Sequence, residues 1–268
     1  MVGPCVLEMQ ASIVQRPAQS FELSRTILIS PMPKVYAGAS GWAYSTWKPD
    51  FYPAKLPAAK FLSHYATRLN SVEVNYTFRS FPTEKLLKRW MEATPAGFKF
   101  AIKAHQSITH VKRLHETSGL MMKFAAALQT LENAGRLGPV LFQLPPFLKC
   151  DIPRLAQFLA ELPPHLRAAF EFRDTSWFVE EVYDALRGKN AALCHAESEE
   201  IQTPPIRTSD FFYVRLRKDN YSAKSLRARI ERVAELARQG DVFAYFKHGE
   251  TPEAALRAEA LLRAMRAG

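Results

Sequence analysis

Little in this chain supports a disulfide scaffold, a structural zinc site or a membrane anchor. It has three cysteines, Cys5, Cys150 and Cys194. An odd number without a Cys-x-x-Cys pair argues against a disulfide framework and a cysteine-built metal site, and fits a reducing cytoplasm. No apolar run approaches the ~20 residues that a spanning helix needs, so no membrane association is expected. The first residues lack a basic stretch followed by a continuous apolar one, which argues against a signal peptide. Gly38-Ala-Ser-Gly-Trp42 stands after the first strand, where a dinucleotide-binding sheet would carry Gly-x-Gly-x-x-Gly. His-Glu-x-x-His and His-x-His spacings are missing. Acid is also in short supply, with 26 Asp and Glu against 36 Lys and Arg and a formal charge of +10. Charge of that sign favours anionic partners, either phosphorylated small molecules or nucleic acid.

What is present is a repeated alternation. Ser71-Val72-Glu73-Val74-Asn75, Ala169-Phe170-Glu171-Phe172-Arg173 and Phe212-Tyr213-Val214-Arg215-Leu216-Arg217 each place apolar side chains on one set of alternate positions and polar ones on the other. Side chains of a strand point to opposite faces with period two, so each strand offers one face to a core and polar groups to another. Eight such strands are expected, near 35–39, 71–75, 98–103, 140–144, 168–173, 191–194, 211–216 and 242–246. A helix or short connection follows each. That order implies parallel strands with helical crossovers. Eight units in roughly 235 residues predict a single (β/α)8 TIM-type barrel over residues 35–268. Residues 1–34, with Pro4, Pro17, Pro31 and Pro33, read as a flexible, loosely structured N-terminal extension. A doubly wound open sheet is the alternative.

Active sites of such barrels lie at the C-terminal ends of the strands. By alternation the inward set there is Glu73, Asn75, Lys103, His105, Gln143, Glu171, Arg173, His195, Arg215, Arg217 and Lys247. Ionic groups inside a barrel are costly unless paired or functional. Glu73 and Glu171 are the candidates for acid/base work, with Lys103 and His105 as further catalytic groups. Asn75, Gln143, Arg173, Arg215 and Lys247 are candidate substrate contacts. Five cations against two carboxylates favour an anionic ligand, although an internal ion-pair network is the bland alternative. Aromatics crowd the loop after the first strand, and Trp42, Tyr44, Trp177 and Tyr221 are candidate stacking residues, whereas Trp47 and Phe51 read as structural. A divalent metal held by His105, His195 and Glu73 or Glu171 is considered and not favoured, so no metal site is assigned.

Several of these segments also resemble the YecE-like family, a domain of unknown function numbered 72. The resemblance is carried by Gly38-Ala-Ser-Gly-Trp-Ala-Tyr-Ser-Thr-Trp47, Phe51-Tyr-Pro53, Ser71-Val-Glu-Val-Asn-Tyr-Thr-Phe78 and Pro95-Ala-Gly-Phe-Lys-Phe-Ala-Ile-Lys103. It continues through Ile108-Thr-His110, Leu137-Gly-Pro-Val-Leu-Phe-Gln-Leu-Pro-Pro146, Glu171-Phe-Arg173 with Ser176-Trp177, and Tyr213-Val-Arg-Leu216, in one order. It implies a TIM-type barrel and no settled activity. The chain departs from the family near strand eight, where Tyr245-Phe-Lys-His-Gly249 replaces a Tyr-Phe-Asn-Asn-Asp pattern. Composition and site together point to an enzyme, a hydrolase or lyase, acting on a phosphate- or carboxylate-bearing substrate such as a sugar phosphate or a nucleic-acid component. The alternative is a nucleic-acid-binding barrel without chemistry, supported by the basic stretches at 85–89 and 224–232. Neither oligomeric state nor cofactor is legible.

Overall fold

A computed structural model describes residues 1–3, 34–198, 201–247 and 251–267. Most of the expected N-terminal extension, residues 4–33, lies outside the described residues, as do His248 and Gly249. Eight strands run parallel in one sheet: β1 (Val35–Ala39), β2 (Ser71–Val74), β3 (Lys99–Lys103), β4 (Leu137–Gln143), β5 (Ala168–Glu171), β6 (Ala192–Glu197), β7 (Phe211–Leu216) and β8 (Asp241–Phe246). β1 pairs with β8 from Val35 opposite Val242 to Ala39 opposite Phe246, and the remaining neighbours follow in chain order. The result is the (β/α)8 barrel. Lys34, expected in the extension, already joins it, because its N–H donates to Asp241 Oδ1 at 2.9 Å.

β1 and β2 share no backbone ladder, and side chains close this seam instead. Asn70 acts as a surrogate strand, accepting from the Ala37 N–H at 2.9 Å and donating to the Val35 carbonyl at 2.8 Å. The Tyr65 hydroxyl accepts from the Ala39 N–H at 2.7 Å and donates to the Ser71 carbonyl at 3.0 Å. Backbone groups buried at the seam are thereby satisfied, which a buried edge requires. The close approach explains Gly38: a Cβ there would lie 2.0 Å from the Ser71 oxygen and 2.5 Å from the Tyr65 hydroxyl.

Among the described residues seven α-helices surround the strands: α1 (Phe61–Arg68), α2 (Glu84–Glu92), α3 (Ser118–Asn133), α4 (Ile152–Glu161), α5 (Glu180–Gly188), α6 (Ala223–Ala237) and α7 (Glu253–Ala267). Their starts follow local chemistry. Thr83, Asp151 and Ser222 each cap a helix by accepting a backbone N–H, and Pro153 sits in the first turn of α4, where its missing donor costs nothing. One apolar layer fills the barrel with Tyr36, Leu141, Phe211, Tyr213, Phe243 and Tyr245, spaced by Ala101, Ala169 and Ala192. A second layer lies between strands and helices, where Phe100, Phe142 and Phe170 meet Phe124 and Phe158.

The unit after β6 has no helix among its described residues, 198 and 201–210. A cavity of about 380 Å³ opens there against α6, lined by His195, Val214, Leu216 and Val233. This corrects the expected inward position of His195. β6 carries Ala192, Cys194 and Ala196 into the barrel, so His195 faces the helix layer, where its Nε2 lies 3.1 Å from the Ile206 carbonyl.

Candidate active site at the barrel mouth

The inward phases of β2, β5 and β7 bring Glu73, Glu171 and Arg215 to one place. Glu73 is fully buried. Its Oε1 accepts from Ser40 Oγ at 2.7 Å and Arg215 Nη2 at 2.8 Å, and its Oε2 from the Tyr213 hydroxyl at 2.8 Å. Glu171 is 1 % exposed. Its Oε1 accepts from Gln143 Nε2 at 2.9 Å and Arg217 Nη1 at 2.7 Å, and its Oε2 pairs with Arg215 Nη1. Arg215 therefore spans both carboxylates with the two arms of its fork, the geometry for which a guanidinium is suited.

The electrostatics follow from this closure. Burial alone would raise the pKa of Glu171, but Arg215 and Arg217, with the hydrogen bonds from Arg215 and Gln143, hold it at about 2. Glu73 is likewise pushed up by burial and brought below the usual carboxylate range by Arg215, Ser40 and Tyr213. Both acids are thus fixed as carboxylates, each satisfied by its neighbours. An acid so tightly paired is a poor proton carrier near neutral pH. The arrangement gives the two glutamates and Arg215 the geometry of a rigid floor beneath the mouth.

The cations divide into two groups. Arg215 and Arg217 are committed to the glutamates, and Lys247, exposed at the rim, pairs with Asp219 at 3.0 Å. Lys103 and Arg173 have no carboxylate partner among the described residues. Lys103 lies with Nζ 4.2 Å from the centre of the Phe78 ring. Burial, then the Arg215 charge, lower its pKa to about 8 against the opposing pull of Glu73 and Glu171. His110 packs edge-on against the same Phe78 ring at 4.9 Å. Its pKa is lowered by burial and by the charges of Lys103 and Arg173, which are near enough to act on it.

His110 was not among the sequence-derived site residues. It belongs to a wide helical turn, Ser107–Val111, in the loop after β3, where periodicity gives no signal and only the family-like Ile108-Thr-His110 segment points to it. That loop also holds Arg113, Leu114 and Glu116 at positive φ, 51°, 68° and 48°. Non-glycine residues in that region cost roughly 1–3 kcal/mol each and gather where a loop has a task.

Other expected contacts lie elsewhere. His105 leaves the inward set because β3 ends at Lys103 and the chain turns. Its Nδ1 accepts from the Ser107 N–H at 3.2 Å, and its ring meets Phe81. Trp177 is fully buried, stacked on Phe172 at 4.6 Å, with its indole N–H given to the Leu148 carbonyl at 2.7 Å, so it is part of the core. Tyr221 packs against Phe246 on the helix side. Trp42 and Tyr44 do reach an open cleft, of about 310 Å³, shared with Asn75, Tyr76 and Trp90. Asn75 Nδ2 donates to the Ser40 carbonyl at 3.1 Å, while its buried Oδ1 has no partner. Trp47 and Phe51 are buried. Among the described residues no three His, Cys, Asp or Glu side chains converge as a metal-ligand set, and no helix is long and apolar enough to cross a membrane.

Fold and site define a (β/α)8 barrel with a buried Glu-Arg-Glu floor, and among the described residues Lys103 and Arg173 have no carboxylate partner. The family described as "Protein of unknown function DUF72" matches residues 36–268, and the chain belongs to it. A family member of known structure from Thermotoga maritima MSB8 is 26 % identical, with a TM-score of 0.78 over 87 % of this chain and 99 % of that one. Another, from Enterococcus faecalis V583, shares 16 % identity and a TM-score of 0.70 over 85 % and 95 % of the two chains. The UPF0759 protein YunF of Bacillus subtilis (strain 168) is 27 % identical over 160 residues, 56 % of this chain and 54 % of that protein. This chain thus spans about half the length of that relative.

Proposed function

We propose that the barrel mouth binds an anionic, phosphate- or carboxylate-bearing small molecule and acts on it as an enzyme. The observation that carries the reading is the asymmetry among the cations. Among the described residues Lys103 and Arg173 have no carboxylate partner, while the oxygens of Glu73 and Glu171 are already satisfied. An unpaired, partly desolvated cation is unfavourable unless a ligand completes it. Arg215, expected as a direct anion contact, has both terminal nitrogens on glutamates and supports the site from below. Hydrolase or lyase chemistry would then fall to the groups above the floor, Lys103 and His110, with the glutamates fixing the electrostatic background.

The nucleic-acid alternative draws less support. Of the charges in its basic stretches, Lys88 pairs with Glu84, Arg227 with Glu231, Arg229 with Glu197 and Arg232 with Glu235. These are solvated helix faces rather than a reserve of free charge.

The test is a thermal-shift series with phosphate at constant ionic strength. A site of millimolar affinity, at tenfold excess of phosphate, stabilises by about 1.4 kcal/mol, or roughly 3 °C for a chain of this size. Wild type and Lys85→Gln should shift equally, since Lys85 is exposed on α2. Lys103→Met and Arg173→Met should lose most of the shift. Equal shifts in all four proteins would overturn the reading.

A further inference from the structure

Lys103 lies against the face of the Phe78 ring and, among the described residues, has no carboxylate partner. The two carboxylates beneath it are saturated: Glu73 by Ser40, Tyr213 and Arg215, and Glu171 by Gln143, Arg215 and Arg217. Its Nζ rests over the face of Phe78, an apolar wall that supplies no acceptor. The side chain is half-buried, so a small molecule entering the mouth can reach it. Burial disfavours its charge first, and Arg215 and Arg217 on the floor below add to this against the opposing pull of Glu73 and Glu171. A lysine desolvated beside other cations is the environment in which an amine becomes a nucleophile towards carbonyl carbon. Arg173, which has no carboxylate partner among the described residues and whose charge acts on His110 as that of Lys103 does, would supply a seat for an anionic group on the same molecule.

We propose that Lys103 is an imine-forming residue, its Nζ adding to the carbonyl carbon of a small anionic oxo compound whose charged group rests on Arg173. The inference builds on the reading of the mouth as an anion site. In the first step the nitrogen lone pair forms the C–N bond, the carbonyl π pair moves to oxygen, and one amine proton passes to that oxygen. In the second the C–O bond breaks, the oxygen leaves as water with the second amine proton, and C=N forms. Both protons of the neutral amine end on water, and no oxidant or reductant is consumed. His110 is placed to relay them. It flanks the same Phe78 ring as Lys103 and is held neutral, with Nδ1 2.9 Å from the Thr109 hydroxyl.

The pKa of about 8 supports this geometry. Near pH 7.5 it leaves on the order of 100-fold more free amine than an ordinary lysine at ~10.4 would have.

The experiment is reductive trapping of the full chain with pyruvate and borohydride, followed by intact-mass measurement and peptide mapping. One reduced adduct is expected, on Lys103, forming roughly 10- to 100-fold faster than on exposed lysines such as Lys85. Its rate should rise with pH to a plateau above about 8. Inorganic phosphate should slow it, whereas the adduct with acetaldehyde, which lacks the anionic group, should form more slowly at Lys103 and be insensitive to phosphate. Lys103→Arg keeps the cation and should abolish the adduct, while Lys85→Arg leaves it unchanged. Adducts spread over exposed lysines, equal in wild type and Lys103→Arg, would overturn the proposal. In that event phosphate-dependent stabilisation lost in Lys103→Met would still stand, so failure of imine formation is distinguishable from failure of the anion site.

Discussion

Replacing Arg215 by Met tests whether the floor of the mouth is a closed ionic unit. The guanidinium donates to Glu73 and to Glu171, which are 0 % and 1 % exposed. Methionine fills similar space and leaves two carboxylates facing each other with only Arg217, Gln143, Ser40 and Tyr213 to hold them. Breaking a buried pair by removing one partner costs about 3–5 kcal/mol, a large part of the ~5–15 kcal/mol that a domain has. The pH dependence gives the sharper signature. In wild type, Glu171 sits at about 2 against its ordinary 4.5. A depressed carboxyl contributes stability that is present above the unfolded value and is lost as pH falls from there through the folded value. The depression is worth on the order of 3 kcal/mol. In Arg215→Met burial acts with little opposition and both carboxyls rise. A raised carboxyl behaves oppositely, with its stability present at low pH and lost as pH rises through the folded value. The gap between the two proteins should therefore be widest near pH 7 and should narrow towards about pH 5. Urea unfolding followed by tryptophan fluorescence measures it, since Trp47 and Trp177 are buried. A loss below ~1 kcal/mol near pH 7, or a gap that widens on acidification, would refute the reasoning.

Lys103→Met should stabilise the free protein by about 1–3 kcal/mol near pH 7, because the folded state holds this amine at about 8 rather than its usual 10.5. The folded state binds fewer protons between those values, so wild type recovers stability as pH rises through that window and the difference fades. Thermal melts across that range check it, and a destabilised variant near neutral pH would contradict it. At the seam, Tyr65→Phe removes the hydroxyl that serves Ala39 and Ser71 and should cost about 1–3 kcal/mol, with faster hydrogen exchange at the Ala39 amide. Gly38→Ala puts a methyl 2.0 Å from the Ser71 oxygen and should prevent soluble folding, which an expression assay reads directly.

The barrel was legible because its strands write their inward and outward faces in alternation. Glu73, Lys103, Gln143, Glu171 and Arg215 share the inward phase that the sequence assigns them, and the motif from Gly38 to Trp47 marks the loop that follows β1. What alternation gives is a face, not a distance. That Arg215 reaches Glu73 across 142 residues of chain, rather than standing free for a ligand, depends on the curvature of the sheet. His195 was misread because β6 runs on to Glu197 and its inward residues, Ala192, Cys194 and Ala196, are small and carry no polar signal. His105 failed for the reverse reason, since β3 ends two residues before it and phase no longer applies. His110 sits in an irregular turn, and Asn70 does a strand's work from outside any strand, so no periodicity exposes either. Trp177 and Tyr221 follow strands as Trp42 does. Only the packing of Phe172 and Phe246 separates core from cleft.

If the floor closes on itself as proposed, Lys103 and Arg173 are left to hold an anion. The most direct test is a crystal structure of the protein soaked in phosphate near neutral pH. The account predicts one tetrahedral anion within hydrogen-bond distance, about 2.7–3.2 Å, of both Lys103 Nζ and the Arg173 guanidinium, with Arg215 still forked between Glu73 and Glu171. An empty mouth with Lys103 or Arg173 turned onto a glutamate, or phosphate found only on the outer helices, would contradict it.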